Sequence, residues 1–264
     1  MLTWLFGPPR GLPTSPWGPV GGVFAVLFAA VMAVVLAGAV MLGIVAVTPG
    51  LRHAVETRCA GGGGGQCITA LLTGMALVYF FLVVGLIVAC WFRRGATPAN
   101  SLMLRTAHWR SWQYLVFAVV TVVSLIVLQQ IIFWLSDQLG ITSADPSNDL
   151  EQMRQYLNFD QPATLIIMAV LAVVLAPLAE EFVFRGMLLA AFHKTIGVIG
   201  SAILLSALWS VMHWGYSSQN LVALFVLGLL FAYITWRTGS LWPAIVGHTA
   251  NNLVAVVALL SSQA

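Results

Sequence analysis

The sequence predicts an all-α fold, a polytopic transmembrane helix bundle of about seven spans with a range of six to eight. Three observations carry this. Hydrophobic residues fill 60% of the 264 positions and charged residues only 7%, against about 25% charged in a soluble domain. The mean hydropathy is +0.96. The apolar residues run continuously over stretches of about 20, the length that crosses a bilayer core, and do not alternate as in a barrel strand. So few charges cannot cover a water-soluble monomer. The composition also excludes a disordered chain, a disulfide-dense secreted module and a nucleic-acid binder.

The spans follow in order. Val20–Thr48 lies in a charge-free stretch between Arg10 and Arg52. It is too long and too far from Met1 for a signal peptide, so it reads as retained. Gly11, Pro13, Pro16 and Pro19 keep the stretch before it from forming a regular helix. Ile68–Phe92 and Trp112–Leu135 come next. Ala163–Ala179 begins a fourth span that can continue through a polar patch to His193. Ile196–Met212, Leu221–Trp236 and Leu241–Leu260 complete the set.

Basic residues set the orientation. Arg93, Arg94, Arg105 and Arg110 crowd the second loop without an acid, which puts that loop and the amino terminus in the cytoplasm. Arg185, Lys194 and Arg237 then fall towards the cytoplasm, while Arg52 and Arg58 fall outside against the rule. The third loop, Ser136–Gln161, carries Asp137, Asp145, Asp149, Glu151 and Asp160 against Arg154 and is expected outside, with turn formers at Asp145-Pro146 and Ser147-Asn148. Cys59 and Cys67 flank Gly61–Gly65 in the first outer loop, where a disulfide and two free thiols are equally open readings. Cys90 is expected to pack within its span.

Ionisable residues inside spans are costly and are candidates for function. Six of the eight acids lie in loops: Glu56 and the five just named. The other two, Glu180 and Glu181, stand side by side between apolar runs. Arg185 follows Glu181 by four residues, so the two share a helix face and can pair. Glu180 points about 100° away and is left outside that pair. A bland reading, an interfacial patch at a span end, competes. Pro177 frees a carbonyl near the acids.

Two histidines join the acids. His213 ends the fifth span with Trp209 one turn before it, and His248 lies early in the seventh with Asn252 one turn after it. Each pair alone reads equally well as an interhelical hydrogen bond. His53, His108 and His193 are assigned no role. Together, a carboxylate, two imidazoles and an amide suit acyl hydrolysis by an activated water. A desolvated carboxylate serves as general base, and amide or imidazole N–H groups stabilise an oxyanion. No serine or cysteine nucleophile is needed.

Glu180-Glu181-x-x-x-Arg185, an aromatic four residues before His213, and His248-x-x-x-Asn252 resemble the CPBP intramembrane proteases, which include the type II CAAX prenyl endopeptidases and bacterial bacteriocin-processing or immunity proteins. The resemblance covers roughly Thr164 to Val256. Trp209 stands where the family usually has phenylalanine. The resemblance implies a protease core over 161–264 and an additional transmembrane region of three spans plus an outer loop over 1–160. It implies that Glu180 activates water with help from His213. His248 and Asn252 would stabilise the oxyanion, while Glu181, Arg185 and Trp209 would shape the site. The substrate would be a membrane-delivered peptide or protein, in a multi-pass protein of the cell membrane.

Glu180, His213 and His248 could instead form a three-ligand zinc site. The helix motif H-E-x-x-H is missing, and the metal-free glutamic reading is favoured, with no cofactor. A rhomboid-like serine site is not found, since Gly215-Tyr-Ser-Ser218 lacks the final glycine. An aspartyl type would need intramembrane aspartates, and all four aspartates lie in the third loop. Two other functions compete: a transporter or channel with a polar ion site, and a non-catalytic immunity or peptide-binding protein. Counting from the span ends leaves one tension, a depth mismatch of roughly 15 Å between His213 and His248.

Overall fold

The computed structural model describes residues 10–48, 65–140, 154, 157, 159 and 161–261. The described residues are almost wholly helical and contain no strand. The long helices are α1 (Pro19–Val47), α2 (Gly65–Phe92), α4 (Ser111–Gln138), α5 (Pro162–Val211), α6 (Ser218–Thr238) and α7 (Trp242–Ser261), with a single turn α3 (Pro98–Ser101) between α2 and α4. All six long helices are long and apolar enough to cross a membrane.

The 50-residue α5 would run about 75 Å if straight, far more than one crossing. It reverses at Gly197, whose φ of 72° and ψ of 169° lie in a region open essentially to glycine alone. The fourth and fifth spans expected from hydropathy are therefore the two arms of α5, and the fourth continues through the polar patch without a break in helical structure.

Two widened π-helical turns interrupt the first arm, at Leu171–Leu175 and Phe182–Leu188. In the first, the Ala176 N–H reaches Leu171 O, five residues back. The next donor in that register would be residue 177, which is proline and has no N–H. The carbonyl of Ala172 is thus left for another donor.

α1 and α2 form an apolar pair. Ala25, Ala29, Ala33 and Ala37 line the buried stripe of α1, and a Cβ on Gly85 would stand 3.3 Å from the Ala29 methyl. Small residues permit this close approach where lipid offers no hydrophobic drive. The second arm of α5 packs on α6, and α7 packs on α4.

One end of the bundle is tied together by the amino-terminal segment and the α2–α4 connection. Arg10 N donates to Arg237 O, Lys194 Nζ to Ser15 O, Arg93 Nη2 to Pro16 O and Trp17 Nε1 to Ser101 Oγ. Ser240 Oγ donates to Arg105 O, and Leu241 N to Met103 O. Leu102 and Met103 of the connection are fully buried in the core. Thus Arg10, Arg93, Arg105, Lys194 and Arg237 share one end, as the charge pattern anticipates. Arg185 is a correction: counted from sequence among the cations facing the cytoplasm, it is only 1% exposed and sits within the bundle. Its charge is matched by Glu181, so it has no need of the interface.

Cys90 is buried and free. Cys59 and most of the first and third loops, including Glu56, Asp145, Asp149, Glu151 and Asp160, lie outside the described residues.

Candidate active site

Glu180 and Glu181 sit on the α-helical turn Ala176–Glu181, between the two π-helical turns of α5. Such widened turns are frequent at functional sites because they re-aim side chains. Both carboxylates are buried, and they face different partners.

Glu181 Oε1 accepts from Arg185 Nη1 at 2.9 Å and from His248 Nδ1 at 3.1 Å. Arg185 is fixed further by donating from Nη2 to Gly228 O at 3.2 Å, and its guanidinium lies 4.6 Å from the centre of the Trp209 ring. A Cβ on Gly228 would come within 2.9 Å of that nitrogen and within 2.8 Å of Ser206 Cβ, so glycine is what lets the α6 backbone approach the cation.

Glu180 is outside this ion pair, as its helical angle predicts. Its Oε2 accepts from Trp209 Nε1 at 2.6 Å, and its Oε1 from the Tyr79 hydroxyl at 3.4 Å. His248 Nε2 lies 3.9 Å from Glu180 Oε2. The His248 ring therefore spans the two acids. Its Nδ1–H is spent on Glu181, which fixes the tautomer and leaves Nε2 facing Glu180.

His213 is half-buried, and its Nδ1 donates to Trp209 O at 2.8 Å, which leaves Nε2 as its free nitrogen. The His213 and His248 rings each pack edge-on against Trp209 with centroids 5.3 Å away. The depth mismatch counted from the sequence is thus absent. Glu180 and His213 lie 17 and 16 residues either side of Gly197, so the reversal brings both to about 25 Å from its tip. The second arm is short and ends at the depth of the acids.

Asn252 Nδ2 donates to Ala172 O at 2.8 Å, the carbonyl that Pro177 and the π register leave open. An amide nitrogen has two hydrogens, so one N–H is used to orient the side chain and the other is left over. The structure therefore gathers Glu180, Arg185, His213 and His248 around the Trp209 indole, with Glu181 joining Arg185 to His248 and Asn252 one turn further along α7.

Tyr79 was not legible as a site residue, because the first three spans read as apolar crossings only. Its signal was a phenol within a lipid-spanning run, where a hydroxyl needs a partner. Gly228 had no signal in sequence.

Glu180 and Tyr79 also line an apolar groove of about 1070 Å³ between α1, α2 and α5. Val34, Gly74, Val183 and Met212 are among its walls, so the acid stands at the polar spot of an otherwise greasy channel.

Among the described residues no three His, Cys, Asp or Glu side chains converge to hold a metal. The Trp209 N–H, a donor only, points at Glu180 Oε2.

Residues 162–254 match the family described as "Type II CAAX prenyl endopeptidase Rce1-like". The resemblance to the CPBP family holds. The match covers the same stretch as the three motifs and supports, at the general level, a protease in a multi-pass membrane protein. The chain is also 29% identical over 106 residues to "Uncharacterized protein YyaK" of Bacillus subtilis (strain 168), covering 38% of this chain and 36% of that relative. The match thus spans about a third of the curated relative's length. No solved structure matches the chain.

Proposed function

We propose that the protein is a glutamic-type intramembrane endopeptidase that hydrolyses a peptide bond of a membrane-delivered peptide or protein. The observation that carries this reading is the position of Glu180: 9% exposed, held by Trp209 and Tyr79, and opening on an apolar groove. A carboxylate so placed can take a proton from water in a low-dielectric site, and the groove can receive an apolar substrate from the lipid side.

In this reading Glu180 removes a proton from water with help from His213 Nε2. The water oxygen attacks the scissile carbonyl carbon, and the carbonyl oxygen becomes an oxyanion. The unused N–H of Asn252 and a protonated His248 Nε2 stabilise that charge. Collapse of the intermediate breaks the C–N bond, and the proton held by Glu180 passes to the leaving amine. Since the His248 Nδ1–H is engaged by Glu181, the ring can donate to an oxyanion only from Nε2 and only as imidazolium. The Arg185–Glu181 pair holds that ring in place. The region 161–264 is the protease core, and the region 1–160 completes it by walling the groove. We place the protein in the cell membrane with its amino terminus in the cytoplasm.

The test compares Glu180→Gln with the wild type. Terminal-peptide mass spectrometry of membranes from cells expressing each protein identifies the cleaved bonds. Cleavage of a synthetic version by the purified protein in proteoliposomes then falls by about 10²–10⁴-fold in the variant. Near-normal turnover by Glu180→Gln would sink the assignment. Ion or solute flux in the same vesicles without any cleavage would favour a transporter.

A further inference from the structure

Tyr79 lies on α2, outside the stretch matched to the family, yet its hydroxyl reaches into the site. α2 is apolar around it, with Met75, Val78 and Leu82 lining the same groove. A phenol in such a wall needs a partner for its O–H, and the partner is Glu180 Oε1 at 3.4 Å. The other oxygen of that carboxylate is bonded to Trp209 on the second arm of α5. The carboxylate therefore has a partner at each oxygen, from two helices, a short bond from Trp209 and a longer one from Tyr79. Rotation about the last side-chain bond of Glu180 would break both contacts at once. The Trp209 grip is short and fully buried, whereas Tyr79 is half-buried and stands where the groove meets the acid.

We infer that Tyr79 is a positioning residue for Glu180, supplied by the amino-terminal region, which fixes the carboxylate plane at the point where the groove delivers its occupant. This rests on the reading of Glu180 as the base. Trp209 alone leaves the carboxylate free to swing about one hydrogen bond, and Tyr79 restricts that swing. The region 1–160 then contributes chemistry as well as a wall. A change in the spacing of α2 from α5 would reach the base directly through this contact.

The experiment reads Glu180 itself. An infrared difference spectrum between the wild type and Glu180→Gln, in nanodiscs, isolates the Glu180 carboxyl bands. The same difference is taken in a Tyr79→Phe background and with site-specific 3-fluorotyrosine at position 79, which is a stronger donor. The expected result is a shift of the Glu180 band in one direction for Tyr79→Phe and in the other for the fluorinated ring, with the melting temperature unchanged. The peptide cleaved best in an internally quenched fluorogenic library should show kcat lowered about tenfold in Tyr79→Phe, the effect of one lost hydrogen bond to a charged group, with KM unchanged. Bands unmoved by either change, with Glu180→Gln inactive, would overturn the role of Tyr79 alone. Full activity in Glu180→Gln would overturn the base assignment and, with it, any part for Tyr79 in turnover. The fluorinated ring keeps the tyrosine shape, so the question is decided even where Tyr79→Phe folds poorly.

Discussion

The α1–α2 pair and the α5–α7 core solve the same problem, packing helices in lipid, by opposite means. α1 and α2 meet through alanine and glycine, with Ala29 against Gly85, and expose large side chains such as Phe24, Leu27 and Phe28 outwards. The core buries Glu180, Glu181, Arg185 and His248 together. In the first region, affinity between helices is a matter of fit, and a poorer fit costs gradually. In the second, each polar group is tolerable only while its partner is present. Stability is therefore spread thinly over one region and concentrated on a few atoms in the other.

The sharpest way to break the comparison is Arg185→Ala. It removes the cation from a pair whose members are 1% and 0% exposed, leaving Glu181 with His248 alone. Breaking a buried pair costs roughly 3–5 kcal/mol, so the melting temperature in detergent should drop well below that of Glu180→Gln, which keeps the side-chain size and one oxygen to accept from Trp209. Equal melting temperatures for the two variants would mean that water reaches the pair. Gly228→Val should reproduce part of this loss, because the added side chain would displace Arg185 Nη2. The counterpart in the other region is Ala29→Leu. Overpacking against Gly85 should cost about 1–3 kcal/mol, lowering the melting temperature less than Arg185→Ala does. A larger loss in Ala29→Leu than in Arg185→Ala would reverse the contrast between the regions.

The two regions were also unequally legible. Hydropathy alone locates every long helix, because a continuous apolar run of about 20 residues matches the thickness of a bilayer core. It does not show how the fourth and fifth spans are joined at Gly197, since that turn depends on a single backbone conformation. The spacing of Glu181 and Arg185 makes their pair readable, because four residues on a helix define one face. The Trp209 bond to Glu180 and the Glu181 bond to His248 join residues 29 and 67 positions apart, and no local period encodes such distances. Pro177 is instructive in another way. The sequence shows that it frees a carbonyl, but which carbonyl depends on the π register, and which donor answers depends on α7.

That last link yields the smallest and most discriminating prediction. Asn252 has two roles to separate: it satisfies Ala172 O, and in the proposed mechanism it stabilises an oxyanion. Asn252→Ala removes both. It should lower kcat by about 10²–10³ and destabilise the protein by about 1 kcal/mol, because a half-buried carbonyl is left without its donor. Pro177→Ala restores a backbone N–H at the position the π register requires, so Ala172 O then has a donor of its own. In that background Asn252→Ala should cost little stability, while its effect on kcat should persist in full. The coupling seen in a double-mutant cycle of melting free energies, about 1 kcal/mol, should therefore be missing from the same cycle measured on kcat. If Pro177→Ala rescued turnover along with stability, Asn252 would be a peg for the π-helical turn and not an oxyanion donor. The stabilising hydrogen bond would then have to come from His248 alone.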